Sequence, residues 1–494
     1  MAKSLYITTT LPYVNAEPHI GFALEMVQAD IIARYRRLLG DDVFFNTGTD
    51  EHGQKIFQKA KEEGRDVQEY VDHFAGEFKK LKSALNLSYD AFVRTTDAGH
   101  VAAAQELWRR CDKAGDIYKK KYKGLYCVGD EAFVKESDLV DGKCPNHPTM
   151  DLVEIEEENY FFKLGTYQDR LLKYLGTEGA VVPEWRRQEA INFVKQGLED
   201  FSISRVKEKM SWGIPVPGDD SQVMYVWFDA LTNYISTLGW PCSAPDSAKA
   251  TSGKKATQGK PEDLFEKFWV NGETLQLAGK DQVRFQSIMW QAMLLSAGLP
   301  TTKQVIYHGF ITSGGQKMSK SIGNVIDPLA IVTEYGTDAL RYFLARHVHP
   351  FEDSDVTMER FKEAYNADLA NGIGNLAARI MTLAAAHLSE PVERPAPAGF
   401  HGEYEDALSK FEYNRALEFV RSQVQILDHK IVKEEPFKLI KTNPEMGKQM
   451  IRELALDLYG IARMLSPFMP HTSAAIKEAI LQNKKPANLF PRKE

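Results

Sequence analysis

Two short groups of residues carry the side chains needed to handle a nucleoside triphosphate. The first is Pro12-Tyr13-Val14-Asn15-Ala16-Glu17-Pro18-His19-Ile20-Gly21-Phe22. Pro18 and the apolar spacing that follows predict a helix starting at Ile20, which puts His19 and Gly21 at a helix N-terminus. Unpaired N–H groups and the positive dipole end suit phosphate there. Gly21 lets a base or ribose approach the backbone, and His19 can donate to an α-phosphate. The second group is Lys317-Met318-Ser319-Lys320-Ser321, just after Gly314-Gly315. Two cations, Lys317 and Lys320, on a glycine-hinged loop can close over a triphosphate and neutralise a leaving pyrophosphate. Together the groups imply attack of a carboxylate on the α-phosphorus of ATP, catalysed by position and electrostatics. Taken singly, each has a plainer reading: a chance His-Ile-Gly at a helix start, or a solvated basic loop.

An α/β frame must hold them. Leu5-Tyr6-Ile7 reads as a buried strand. The helix from Ile20 runs to about Leu39, with Leu24, Val27, Ile31, Tyr35 and Leu38 on one side and Gly40 as its stop. Val43-Phe44-Phe45 is the next strand and leads into Gly48-Thr49-Asp50-Glu51-His52-Gly53. Strand, helix, strand is a right-handed parallel unit, and ligands bind beyond the carboxyl ends of such strands. Residues 115–210 change texture to short strands, turns and charge. Ser243 to Lys260 is rich in Ser, Lys, Gly and Ala and reads as a mobile surface loop. From Glu359 the pattern is helical, around 359–388, 404–430 and 446–465, as in a bundle.

Composition narrows the partners. The chain has 494 residues, enough for two to four domains. No apolar run approaches the ~18 residues of a membrane span, and the N-terminus lacks the apolar core of a signal peptide. A cytoplasmic protein without a membrane partner is expected. Four Cys in so long a chain suggest thiols or a metal rather than a disulfide framework. A net charge of −7 argues against a general nucleic-acid binder but leaves room for local basic faces. The candidates are Lys119-Lys120-Lys121-Tyr122-Lys123 and Arg186-Arg187, each with a solvated surface as its alternative.

The two groups resemble the signature motifs of class I aminoacyl-tRNA synthetases, and nearly the whole chain resembles the methionyl-tRNA synthetase family. The resemblance implies an α/β fold. A Rossmann-like parallel-sheet catalytic domain spans 1–114 and 211–345, with the Lys-Met-Ser-Lys-Ser loop region near 300–345. A connective insertion with a zinc-knuckle-type element spans 115–210, and an α-helical anticodon-binding bundle spans 346–494. Leu11, Tyr13, Asp50, Trp227, Ala230, Tyr234, Phe285 and Gln286 fall at methionine-site positions, and Tyr225-Val226-Trp227-Phe228-Asp229-Ala230 matches as a unit. In that role Asp50 pairs with the α-ammonium group, and the aromatic residues enclose the thioether. Arg205 and Asp281 fall near the phosphates and ribose. His19, Gly21, Phe22, Asp281 and Lys320 contact ATP, and His19, Arg205, Lys317 and Lys320 are catalytic. Three positions of this site depart from the family: Phe22 replaces a second His, Gln282 an apolar residue, and Gln286 a His.

The insertion resembles the family's one-knuckle form. Cys127, Asp130, Cys144 and His147 have paired tetrahedral spacing, with Asp130 where the family has Cys. One structural Zn2+ and a metal-free knuckle both remain open, since a carboxylate is a harder ligand than a thiolate. In the bundle, Asn375 and Arg379 match an anticodon-reading helix and are four apart, on one face. Phe437 stands where the family has a base-stacking Trp.

The implied activity is methionine–tRNA ligation: ATP and Mg2+ activate L-methionine to the adenylate, and the methionyl group passes to the 3′ end of tRNA(Met). No dimerising extension follows the bundle, so a monomer is expected. Two rivals remain: a class I synthetase for cysteine or another small apolar amino acid, and a non-catalytic paralogue.

Overall fold

A six-stranded sheet organises the first half of the fold. In sheet order its strands are Ala91–Arg94, Asp42–Thr49, Ser4–Thr8, Glu273–Gly279, Gln304–His308 and Val181–Val182. Ser4–Thr8 runs parallel to both neighbours, with Ile7 level with Phe45 on one side and Leu275 on the other. Leu5, Tyr6 and Ile7 are all buried, as a continuous apolar run in a covered parallel strand should be. At Gly48 the next strand comes so close that an added Cβ would lie 1.9 Å from the Val93 carbonyl oxygen. The early strands extend the sheet to one side of Ser4–Thr8 and the later ones to the other. That reversal opens a crevice at the carboxyl ends.

This computed structural model describes residues 2–128, 132–134, 136, 139–145, 148, 150–241, 263–318, 323–396 and 399–494. The Ser243–Lys260 segment expected to be a surface loop therefore lies outside the described residues. The chain divides into two compact units. The first comprises 1–17, 40–80 and 89–307. Besides the parallel sheet it holds an antiparallel one, in which Ile117–Cys127 pairs with Val153–Phe162 from Ile117 opposite Phe162 to Tyr126 opposite Val153. Helices Gln168–Leu175 and Glu184–Lys195 follow. Between them, the two-residue strand Val181–Val182 joins the edge of the parallel sheet. Trp108, Phe228, Tyr234, Trp269 and Trp290 stand in the core of this unit.

The second unit comprises 18–39, 81–88 and 308–494. Its first helix is Ile20–Leu38, capped by His19 and carrying Arg36 and Arg37 in its last turn, where cations complement the dipole. Asp30 of this helix is fully buried and meets the guanidinium of Arg341 at 2.8 Å. Arg341 also donates to the carbonyls of Leu85, Pro467 and Phe468. A buried charge of either sign persists only when paired and hydrogen-bonded in this way. The strands Ile311–Ser313 and Gln316–Lys317 form a hairpin, and Ser354–Asp355 runs parallel to the first of them. The rest is helical, from Met358–Ala364 through Asn375–His387, Tyr413–Glu434 and Pro444–Leu465 to Pro470–Gln482. Among the described residues no helix is long and apolar enough to cross a membrane.

Candidate active site

In the first unit, the residues expected to hold an amino acid follow the carboxyl ends of neighbouring strands. Leu11 and Tyr13 follow Ser4–Thr8, Asp50 follows Asp42–Thr49, and Phe285 and Gln286 follow Glu273–Gly279. Backbone pairing locks two of them together. The Val14 N–H donates to the Asp50 carbonyl at 3.1 Å, and the Asp50 N–H donates to the Pro12 carbonyl at 2.9 Å. Tyr13 thus bridges Asp50 in parallel register. Trp227, on the helix Val226–Leu231, stacks on Phe285 with ring centroids 3.7 Å apart and planes 12° apart. Ala230, on the same helix, is buried and small.

Gln286 lies in a π-helical turn, Phe285–Met289. Its side-chain amide donates to the buried Tyr234 hydroxyl at 2.7 Å, and its carbonyl accepts from the Gln291 side chain at 2.8 Å. The Trp227 indole nitrogen and Gln286 Oε1 are among the polar atoms buried without a hydrogen-bond partner among the described residues. Buried polar groups are rarely left so, and a site that receives a polar ligand is one reason they are. Asp281 is exposed on the short turn Lys280–Gln282 and accepts from the Gln282 amide at 3.2 Å. Arg205 is buried on the strand Ser204–Val206. It donates to Ser202 Oγ and the Ser204 carbonyl at 2.8 Å each, and lies over the rings of Tyr225 and Tyr126.

In the second unit, the two groups expected to handle phosphate come together. His19 is the N-cap of Ile20–Leu38, and its Nδ1 accepts from the Gly21 N–H at 3.1 Å. A neutral imidazole that accepts at Nδ1 carries its proton at Nε2, so capping sets the tautomer that can donate to an oxyanion. A Cβ built on Gly21 would come 2.9 Å from His19 Cε1 and 4.0 Å from Met318 Cε, which explains why position 21 has no side chain. The Ile20 N–H donates to the Ile326 carbonyl at 3.0 Å, tying the helix start to the segment after the Lys317 hairpin. Phe22 stacks on His19. Lys317 lies on the hairpin strand Gln316–Lys317, while Lys320 lies outside the described residues.

The bundle presents the remaining candidates on helices. Asn375 opens Asn375–His387 and is exposed. Arg379, one turn on, pairs with Asp428. Phe437 is 44% exposed, unusual for a phenyl ring and suited to stacking. In the insertion, Cys127 and Cys144 are buried thiols. Asp130 and His147 lie outside the described residues, among which no cluster of three metal-binding side chains occurs. Within the two expected basic faces, Lys119 pairs with Asp219, Lys123 with Glu154, Arg186 with Glu189 and Arg187 with Glu184, while Lys120 lies over the Phe161 ring.

Two buried imidazole–carboxylate groups escape sequence reasoning. Asp229 accepts from His52 Nδ1 and from His100 Nε2, each at 2.7 Å. Burial alone raises this carboxyl, but the two imidazoles reverse the effect and hold it below the ordinary carboxylate range. His308 faces Glu25 through Nε2 at 2.9 Å and the Gly309 carbonyl through Nδ1 at 2.7 Å. It links the His19 helix to the base of the Lys317 hairpin. Partners so far apart in sequence leave no local signal.

Residues 5–152 and 149–381 match the family described as tRNA synthetases class I (M). The methionine–tRNA ligase of Rhizobium meliloti (strain 1021) is 39% identical over 491 residues, spanning 96% of this chain and 91% of that protein. The one from Nostoc sp. is 39% identical over 495 residues, spanning 97% of this chain and 90% of its own. Mycobacterium tuberculosis methionyl-tRNA synthetase in complex with methionyl-adenylate superposes with a TM-score of 0.86 at 36% identity, covering 100% of this chain and 99% of that one. Its apo form superposes at 0.80. By this similarity over almost its full length, the chain belongs to the methionine–tRNA ligase family of class I tRNA synthetases.

Proposed function

We propose that this chain is a methionine–tRNA ligase, forming methionyl-adenylate from ATP and L-methionine and passing the methionyl group to tRNA(Met). The observation that carries the reading is the meeting of His19, Gly21 and Met318 at the start of Ile20–Leu38. His19 offers Nε2–H and the helix its N-terminal dipole to the α-phosphate. Lys317 and Lys320 are assigned to the leaving pyrophosphate, with Mg2+ bound to the triphosphate. Asp281 is assigned to the ribose, and Arg205 supplies positive charge near the phosphates.

Asp50 is the partner for the methionine ammonium group. Leu11, Tyr13, Trp227, Ala230, Tyr234 and Phe285 enclose its side chain. Sulfur–aromatic contacts favour a thioether over an aliphatic group by about 0.3–1.5 kcal/mol each. Gln286 fixes the Tyr234 hydroxyl. Asn375, Arg379 and Phe437 read the unpaired anticodon. The protein acts as a cytoplasmic monomer.

The donor types of Cys127, Cys144, His147 and Asp130 suit one structural zinc, because thiolate, imidazole and carboxylate all ligate that ion; Cys127 and Cys144 are buried, and Asp130 and His147 lie outside the described residues. Elemental analysis tests this, with zinc expected at no more than one per chain and lost in Cys127→Ser plus Cys144→Ser. The ligase activity itself is tested by charging purified tRNA(Met) with labelled methionine. Acid-precipitable methionine that depends on ATP and on tRNA(Met) is expected. Its absence would leave the chain a non-catalytic paralogue.

A further inference from the structure

Asp50 and Trp227 are both assigned above to the methionine pocket, and each lies two residues from one buried hydrogen-bonded group. His52 follows Asp50 by two, and Asp229 follows Trp227 by two. Asp229 is fully buried and His100 almost so. As an ionised carboxylate Asp229 only accepts, so His52 donates from Nδ1 and His100 from Nε2. His100 Nδ1 is hydrogen-bonded to the Ser236 hydroxyl at 3.0 Å, two residues past Tyr234. On the helix Val226–Leu231, Trp227 and Ala230 are three apart and share a face, while Asp229 points away from it.

The Asp50 loop is gripped on its other side as well. Buried Glu51 accepts from Arg94 at 2.6 and 2.8 Å and from Thr96 at 2.6 Å. Its carbonyl accepts from Trp212 Nε1 at 2.6 Å. The charged and titratable groups around this loop are thus Glu51, Arg94, His52, His100 and Asp229, with Asp72 beyond Arg94.

We propose that Asp229, through His52 and His100, is a positioning residue that sets the spacing between the ammonium-binding Asp50 and the side-chain pocket of Trp227, Ala230 and Tyr234. It touches no substrate. It keeps the two walls in register, so that amino acid affinity depends on it while ATP affinity does not. The inference rests on the methionine-pocket reading above.

The test is methionine-dependent ATP–pyrophosphate exchange, with KM for methionine and for ATP measured separately, on the full chain and on Asp229→Asn, His52→Ala and His52→Gln. Asp229→Asn keeps the shape and removes the charge. His52→Ala removes one donor, and His52→Gln restores an amide N–H long enough to reach Asp229. Losing one charge-assisted hydrogen bond corresponds to about a tenfold to hundredfold effect. We expect KM for methionine to rise by about that factor in Asp229→Asn and His52→Ala, with KM for ATP within about threefold and recovery in His52→Gln. Equal rises in both constants, or an unchanged methionine KM in His52→Ala, would overturn the proposal. Should Asp229→Asn not fold, the two His52 variants decide alone. Exchange by the natural protein that is independent of methionine would instead overturn the pocket reading, and the proposal with it.

Discussion

Phe22 lies nearly flat on His19, with ring centroids 4.3 Å apart and planes 27° apart. The phenyl ring cannot donate a hydrogen bond to ATP, but it supports the imidazole that caps Ile20–Leu38.

One loss and one gain therefore act at position 22, while His19 is both the helix cap and the proposed phosphate donor. A neutral hydrogen bond contributes roughly 0.5–1.5 kcal/mol and one to a charged group up to about 3. Phe22→His should change the ATP-dependent exchange rate by no more than about two orders of magnitude in either direction, in line with that estimate. His19→Ala removes the cap and the Nε2–H donor together and should be far more damaging. Exchange rates of the natural protein and both variants, measured side by side, check this. A natural protein that is inert beside an active Phe22→His would mark a disabled paralogue.

The buried pair Asp30 and Arg341 should dominate the acid sensitivity of the second unit. Burial alone raises the Asp30 carboxyl, but Arg341, Arg34 and Ser88 bring it below its ordinary value. A carboxylate with a depressed folded-state pKa stabilises fully above its unfolded value, near ~3.9, and loses that contribution as pH falls through the folded value. Asp30→Asn leaves Arg341 buried without its counter-charge, which typically costs about 3–5 kcal/mol. Denaturant melts at neutral pH should show that difference, and melts at descending pH should show it shrinking. A constant gap across the acid range would contradict the assignment.

Asn375, Arg379 and Phe437 should matter to tRNA and not to adenylate formation. Arg379 is paired with Asp428 of the bundle, and Phe437 offers an exposed ring. Base stacking on an aromatic ring is worth about 1–3 kcal/mol by alanine substitution. Phe437→Ala and Arg379→Ala should each slow charging of tRNA(Met) by about tenfold to a hundredfold and leave pyrophosphate exchange unchanged. Parallel assays of charging and exchange on folded variants check it, and a joint fall would contradict it.

How far the sequence speaks depends on how local each signal is. The helix start at Ile20 was legible because Pro18, a capping residue and an apolar spacing lie within one turn of each other. The Trp227 string was legible as a unit, and its Trp227 stacks on Phe285. The strand Val181–Val182 was not, because two residues carry no periodicity and only the neighbouring Val305 and Ile306 define it. Nor was the role of Lys119 and Lys123, whose acidic partners Asp219 and Glu154 lie on other strands. The pairing of Asp229 with His52 and His100 spans most of the first unit and has no pattern to read. The effect of Gln286 in place of the family's His was not legible either, because its partner, the Tyr234 hydroxyl, lies far away in sequence.

The central claim is that this chain activates methionine. The measurement that tests it most directly is ATP–pyrophosphate exchange by the purified protein across a panel of amino acids that includes methionine, leucine and cysteine. Strong exchange with methionine, and weak exchange with the others, is the predicted result. Equal exchange with leucine or cysteine, or none with any amino acid, would contradict it.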